Sequence, residues 1–414
     1  MGYSGINLEN VKSFNRSAIL KLLNDQGEMS RKDLAMQLGL TPATVSVICS
    51  ELIAAQVLCE MGEMKEDRRA GRKKILLGIN YSRFFVLAIS IEDTYTCLTL
   101  SDMRCRPSCD RRIPTDGDAA PEEFLRRVAE AGRELLRAAG VDSAHLLGVG
   151  VSIPGAVRRE DGVCLSYHLW KGRVNVRNIL QRELGLPVVV ENNVKAFAEA
   201  EMVYGSGKEQ ENLLFVKWGP GVGASFVIHK QIYESRRFKS AEIGHMVMEW
   251  EDPVSHCPRR GWLETRVSTH AVADQVRAQC TRSTMPLLWQ NRDGDVSSIV
   301  AHNIADWIAC GDEGMWQVIE KDVDLLARAV SNIVTFFAPD QTIFYGNMFE
   351  LPTMRERFLT ACQRYSADYQ EGDIARSQLS DKLDYIGPLA IVVNELFLSG
   401  RAVSALGAAQ PPEG

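Results

Sequence analysis

Three stretches within the first sixty residues repeat apolar side chains at the spacing of an amphipathic helix. The first runs from Leu8 to Leu23, the second follows Ser30 and the third follows Thr41. Serine and threonine cap helices with their hydroxyl groups, and Gly39 falls in the turn between the second and third stretches. Two short helices joined by a glycine-containing turn indicate a helix-turn-helix, whose last helix enters the major groove of DNA.

The residues that follow predict a β-hairpin with a strongly basic tip. Two short apolar stretches, 57–61 and 74–77, flank segment 64–74, which holds six basic residues against two acidic ones. Cations at such a tip reach phosphates or a minor groove. We therefore predict a winged helix-turn-helix DNA-binding domain over residues 1–80. Its predicted DNA contacts are hydroxyls of the third helix and cations of the wing, namely Thr41, Thr44, Ser46, Arg68, Arg69, Arg72, Lys73 and Lys74.

The charge distribution favours this interpretation. The chain carries a net charge of −6, yet residues 1–80 hold 11 basic and 9 acidic side chains, against 36 and 44 in the remainder. A local positive excess on an acidic chain indicates an anionic partner. The alternative is a three-helix dimerisation module with a solvated basic loop. The exposed face of the third helix is poor in arginine and lysine, so its base preference does not follow from the pattern.

From residue 81 onward, apolar strands alternate with helical stretches, which predicts an α/β body with two related halves. Strands are expected at 84–91, 146–151, 187–190 and 213–217, with a helix at 121–139. The glycine-rich stretch 219–224 is by itself weak evidence for phosphate binding.

Composition narrows the class of protein. The 414 residues are 45% hydrophobic and 24% charged, which is ordinary for globular domains. No apolar run approaches the roughly 18 residues of a membrane helix, and the first residues lack a signal pattern. We therefore expect a cytoplasmic protein without membrane contact, whose ten cysteines are reduced thiols.

Six motifs follow one another along this part of the chain: GVGVSIPGAV at 148–157, ENNVKAFAEA at 191–200, GPGVGAS at 219–225, AEIGH at 241–245, GWLE at 261–264 and the segment from Pro339 to Gly346. Together and in this order, they resemble the ROK family (repressors, open reading frames and kinases). The resemblance implies a two-lobed actin-like ATPase (ribonuclease H-like) sugar-kinase fold behind the winged domain. We expect a first α/β lobe at 81–195, completed by a C-terminal helix at 386–405, and a second lobe for sugar sensing and oligomerisation at 196–385.

The resemblance also identifies the positions at which family kinases hold phosphate and activate the sugar. Ser90 and Glu92 replace an aspartate and a glycine of the first phosphate motif, Pro220 replaces a threonine of the second, and Gly346-Asn347 replaces a Gly-Gly pair. Asn193 replaces the aspartate that serves as general base, and an amide is not basic at neutral pH. We therefore expect no kinase activity and no catalytic residue.

The family's sugar contacts are nevertheless retained. By this resemblance they correspond to Asn192, Glu242, His245 and Glu264, whose amide, carboxylate and imidazole groups suit sugar hydroxyls. Asn193 replaces the family's aspartate but can still hydrogen-bond to the sugar. The alternative is that they are relics that satisfy one another.

The family's zinc site is degenerate in this sequence. Its four positions read His245, Ser255, Cys257 and Trp262, and two ligands rarely hold a structural zinc. We expect no metal or other cofactor there, with Trp262 packing in place of the ion.

These observations predict a DNA-binding transcriptional repressor with a catalytically inactive, sugar-sensing body. The expected partners are a palindromic double-stranded operator, a small sugar effector and further copies of the chain in a homodimer or homotetramer. Two alternatives remain: an active sugar kinase with an accessory DNA-binding domain, and a ligand-independent regulator whose body only dimerises.

Overall fold

A computed structural model describes residues 8–64, 74–248, 261–291, 293–366 and 370–400. The chain folds into two compact units, one of residues 1–204 with 382–414 and one of residues 205–381. In the described ranges, no helix combines the length and the apolar character needed to cross a membrane.

The first unit begins with three helices and a small sheet. These are α1 (Leu8–Gln26), β1 (Met29–Ser30), α2 (Arg31–Leu38), α3 (Pro42–Ala54), β2 (Leu58–Met64) and β3 (Lys74–Ile79). The strands lie in the order β1-β3-β2, and β2 and β3 form the predicted antiparallel hairpin. Ser30 caps α2 by accepting a hydrogen bond from Asp33 N at 3.2 Å, and Gly39 ends it in the left-handed conformation. The helices and the hairpin that these local signals predict are therefore present in the structure.

The α/β part of the first unit is built on a five-stranded sheet in the order β11-β7-β4-β5-β6. The first three strands in this order are parallel and the last two are antiparallel to their neighbours. The elements are β4 (Phe85–Ile91), β5 (Tyr95–Asp102), β6 (Pro107–Pro114), α4 (Pro121–Ala139), β7 (Leu146–Ile153), β8 (Ala156–Arg158), β9 (Val163–Ser166), β10 (Val174–Asn175), α5 (Val176–Leu184), β11 (Val188–Asn192) and α6 (Asn193–Tyr204). Strands β8–β10 form a separate three-stranded sheet.

A C-terminal helix (Ile386–Val392), extended by a π-helical turn (Val393–Leu398), packs on this sheet. At Gly150 in β7, an added Cβ would lie only 1.9 Å from Pro388 O, so only glycine permits the close approach. The turn also touches the winged part, because Ser17 Oγ donates to Leu398 O at 2.8 Å. The unit boundary lies after Tyr204, whereas the predicted boundary at 195/196 falls inside α6. Helix α6 remains with the first unit because it buries most of its side chains there.

The second unit is a second five-stranded sheet in the order β14-β13-β12-β15-β16, packed with helices. Its elements are β12 (Leu213–Trp218), β13 (Val222–Ile228), β14 (Gln231–Ile232), α7 (Glu264–Val267), α8 (Thr269–Gln279), α9 (Pro286–Gln290), α10 (Ile304–Ala309), α11 (Glu313–Phe337), β15 (Gln341–Tyr345), α12 (Asn347–Glu350), α13 (Pro352–Tyr365) and β16 (Ile374–Arg376). An aromatic cluster of Trp218, Phe344, Phe349 and Phe358 fills its core. The body therefore has two sheet-based halves, as predicted.

Candidate DNA-binding and effector sites

The start of α3 is fixed by the side chains predicted to meet DNA. Thr41 Oγ1 accepts a hydrogen bond from Thr44 N at 3.2 Å and lies 2.9 Å from Thr44 Oγ1. The Thr41 hydroxyl therefore caps the helix, and it also pairs with the Thr44 hydroxyl. Ser46 is exposed on the outer face of α3. The only charged residue of α3, Glu51, accepts hydrogen bonds from Lys12 at 2.6 Å and Arg16 at 3.5 Å, which ties α3 to α1.

The predicted wing lies mostly beyond what the structure describes. Lys74 is the first residue of β3, and Arg68, Arg69, Arg72 and Lys73 lie outside the described residues. The described strands do establish that both ends of the basic segment belong to one antiparallel hairpin, since Met64 pairs with Lys74.

The first phosphate-motif position is occupied by neutral hydroxyls. Ser90 on β4 and Ser152 on the neighbouring β7 are both buried, and Ser152 Oγ donates to Ser90 Oγ at 3.3 Å. Neither hydroxyl can organise a metal–phosphate group as a carboxylate would. This pair replaces an acidic site by a neutral contact between two strands.

Asn193, at the position of the family's general base, is engaged by a carboxylate. The side chain is buried at the start of α6, and its Nδ2 donates to Glu92 Oε1 at 3.3 Å. The amide therefore serves as a donor toward Glu92, and its oxygen is the only acceptor it can offer elsewhere. The two residues that depart from the family kinases at positions 92 and 193 therefore hydrogen-bond to each other.

Asn192 caps α6. Its Oδ1 accepts hydrogen bonds from Val194 N at 2.9 Å and Lys195 N at 3.1 Å, and its Nδ2 donates to Gly155 O at 2.8 Å. One amide hydrogen of Nδ2 is left for a ligand, since both lone pairs of Oδ1 accept backbone hydrogen bonds. The capping role of Asn192 comes in addition to the predicted sugar contact, and its signal in the sequence is an asparagine directly before a helical stretch.

A buried charged cluster lies next to these asparagines, and sequence reasoning missed it. Arg159 donates to Glu199 at 3.1 Å, Glu395 at 3.0 Å and Glu191 at 3.5 Å. Burial raises the pKa of Glu191 to about 7, although Arg159 and Lys195 oppose the shift. The carboxylates of the motif at 191–200 were a visible signal, but their basic partner comes from a distant loop.

In the second unit, the carboxylate of Glu264 lies in the glycine-rich turn. Glu264 Oε2 accepts a hydrogen bond from Val222 N at 2.9 Å. An added Cβ at Gly244 would lie 2.4 Å from Val222 O and 3.2 Å from Glu264 Oε2, so the turn, the EIGH segment and α7 pack too closely for a larger residue. The backbone donor that the turn offers is therefore used by a carboxylate of the same unit.

His245 and Trp262 form a ring stack. Their centroids are 3.8 Å apart with an interplanar angle of 29°, and Glu242 Oε2 lies 4.0 Å from His245 Nδ1. Leu263 N donates to Met246 O at 2.9 Å, which joins the two segments.

The candidate zinc ligand Cys257 and its neighbour Ser255 lie outside the described residues. Within the described ones, no group of three or more His, Cys, Asp or Glu side chains is arranged to hold a metal ion. The expectation of a zinc-free protein stays a prediction.

Comparison with known proteins independently supports the predicted family and the predicted winged helix-turn-helix. The ROK family model matches residues 86–395, and a winged helix-turn-helix DNA-binding model matches residues 15–58. A xylose repressor from Caldicellulosiruptor bescii is 25% identical over 395 residues, covering 93% of this chain and 97% of the relative. An N-acetylglucosamine repressor from Escherichia coli O6:H1 is 24% identical over 401 residues, covering 93% and 94%.

Solved structures agree with the fold. The crystal structure of a ROK family transcriptional regulator, described as a homolog of the E. coli MLC protein, superposes with a TM-score of 0.80 at 22% identity, covering 96% of this chain and 100% of that one. These matches confirm the predicted fold class and the N-terminal winged helix-turn-helix.

Proposed function

Because the chain belongs to the ROK family and carries a winged helix-turn-helix, we propose that it is a transcriptional repressor whose kinase-like body binds a sugar without phosphorylating it. The observation that carries the proposal is the pairing of Asn193 with Glu92 at 3.3 Å. It places a neutral amide where the family kinases need a base, and a carboxylate where they need room for phosphate.

Loss of phosphoryl transfer follows from three changes in the first unit. Asn193 cannot accept the proton of a sugar hydroxyl. Glu92 repels a triphosphate, since like charges about 4 Å apart cost about 4 kcal/mol at intermediate dielectric. Ser90 contributes a neutral hydroxyl bonded to Ser152 where a carboxylate would be required. Each change alone impairs phosphoryl transfer, and together they support the proposal that the protein is not an enzyme.

A retained sugar response is supported by the polar groups that remain. In the second unit, Glu242 and His245 are partly exposed, and Glu264 follows directly on the Trp262 segment that stacks on His245. In the first unit, the proposed contacts are Asn192 and Asn193 through the capacity left by their structural bonds. The relatives named as xylose and N-acetylglucosamine repressors support a sugar or sugar derivative as the effector class.

The proposed DNA complex is a dimer on a two-fold symmetric operator. A helix-turn-helix dimer reads two half-sites related by its own symmetry. The contacts are proposed at Thr41, Thr44 and Ser46 on α3 and at the basic residues of segment 64–74. The protein is proposed to act in the cytoplasm and without zinc, its His245 being held by the Trp262 ring.

A thermal-shift screen of the full chain against a panel of sugars and their phosphates tests the proposal. A sugar at 100 times its Kd stabilises the folded protein by about 2.7 kcal/mol, which is a readily measured rise in Tm. The same sugar should change operator affinity and should not cause ATP consumption.

Two variants separate a live site from relics. Glu242→Ala should weaken sugar binding roughly 10- to 150-fold, because a bond to a carboxylate contributes about 1.5–3 kcal/mol. The exposed Glu356→Ala on α13 serves as the matched control and should respond as wild type. Sugar phosphorylation by wild type would contradict the proposal. A normal sugar response of Glu242→Ala would show that Glu242 does not contact the effector.

A further inference from the structure

The outer face of α3 consists of small side chains and one larger apolar one. Val45, Ile48, Cys49 and Leu52 are buried on the inner face. The opposite stripe, at spacings of three and four residues, carries Ala43, Ser46, Val47, Ser50 and Ala54, all exposed. Val47 is 57% exposed and is the largest side chain of this stripe. No arginine, lysine, asparagine or glutamine occurs anywhere in α3, so the usual bidentate contacts with guanine and adenine are unavailable to this helix.

The remaining polar groups of this face discriminate poorly between bases. A serine hydroxyl both donates and accepts, so Ser46 and Ser50 can contact any base edge. A valine side chain can do neither, and the one apolar group that the major groove presents is the 5-methyl group of thymine. Val47 lies in the second turn of α3, within the N-terminal part that reaches base edges in helix-turn-helix complexes.

From this placement we infer that Val47 is a specificity-determining residue, which selects thymine in each operator half-site by packing against its 5-methyl group. The inference rests on the proposed DNA-binding function and adds the base that α3 recognises. Isolated exposed apolar residues are common on protein surfaces, as Val11 and Phe14 on α1 illustrate. What distinguishes Val47 is its position on the recognition helix between two hydroxyl side chains.

The test starts from duplexes selected by the full-length protein from a random DNA library. Each thymine of the selected half-site is then replaced in turn by deoxyuridine, which removes the 5-methyl group and leaves every hydrogen-bonding group in place. Affinities are measured at one salt concentration for wild type, Val47→Ala and Val11→Ala. Val11→Ala is the matched control, since it removes the same two methyl groups from a residue of α1 that is 42% exposed.

For wild type, we expect one thymine position at which uracil weakens binding about 4-fold per half-site, the value of one buried methyl group. Val47→Ala should discriminate clearly less than wild type between the thymine and uracil duplexes, because alanine offers a smaller apolar contact, and Val11→Ala should behave as wild type. Alanine is the better helix former, so lost discrimination in Val47→Ala cannot come from an unfolded α3. Wild-type affinity that is insensitive to every uracil, or a uracil effect undiminished in Val47→Ala, would overturn the inference. Failure to enrich any sequence would count against the proposed DNA-binding function itself.

Discussion

Replacing Asn193 by aspartate is expected to leave the protein without kinase activity and to make its stability depend on pH. Asn193 Nδ2 donates to Glu92 Oε1 at 3.3 Å, and the asparagine is only 8% exposed. The substitution exchanges this donor for a second carboxylate oxygen. Two unit charges at that 3.3 Å separation repel by about 5 kcal/mol at an effective dielectric constant of about 20.

This repulsion keeps one proton on the pair of carboxyl groups near neutral pH. The nearby like charge and the burial of position 193 hold the pKa of the introduced carboxyl well above its ordinary value. A protonated carboxyl cannot accept a proton from a sugar hydroxyl, so the restored residue type does not restore the base. Because this pKa is higher in the folded than in the unfolded chain, Asn193→Asp should match wild type near pH 4. It should lose roughly 3–5 kcal/mol of stability as the pH rises to about 8.

Two assays check these expectations. Sugar-dependent release of ADP measures kinase activity, and unfolding at a series of pH values between 5 and 8 measures stability. Adding Glu92→Gln to Asn193→Asp removes the second charge and should flatten the pH dependence. The exposed Asn178→Asp on α5 controls for a new carboxylate elsewhere in the unit and should show little dependence. Sugar phosphorylation by Asn193→Asp, or equal stability relative to wild type at pH 5 and pH 8, would refute the reasoning.

Three further outcomes are expected. Burial raises the pKa of Glu191 to about 7, so wild type should lose stability as the pH rises from 5 to 8, and Glu191→Gln should reduce that loss in thermal unfolding. Arg159→Leu leaves buried carboxylates without their cation and should cost about 3–5 kcal/mol in urea unfolding. Arg158→Leu breaks a more exposed, solvent-screened pair and should cost far less. Alanine at both Arg69 and Arg72 should weaken binding to all DNA sequences similarly and flatten the salt dependence, and unchanged salt dependence would remove the wing from the DNA contacts.

The sequence by itself determined the helices and strands discussed here, and it also determined that position 193 lacks a general base. Apolar side chains repeat with the period of the helix or strand they form, so α3 and the β2–β3 hairpin follow from their own residues. Caps such as Ser30 and Thr41 act within three residues. The loss of a base at position 193 is equally local, because an amide lacks basicity in any environment.

Only the tertiary structure decided which groups engage each other. Asn193 and Glu92 are 101 residues apart in the chain, and their hydrogen bond exists because β4 and β11 flank β7 in one sheet. Arg159 meets Glu395 across 236 residues, through the packing of the C-terminal helix on β7. Such pairs depend on long-range packing and on the cost of leaving a buried charge unpaired, which no local pattern encodes. For the same reason, the exposure of Val47 follows only from the tertiary structure, which determines the face of α3 that packs against the rest of the domain.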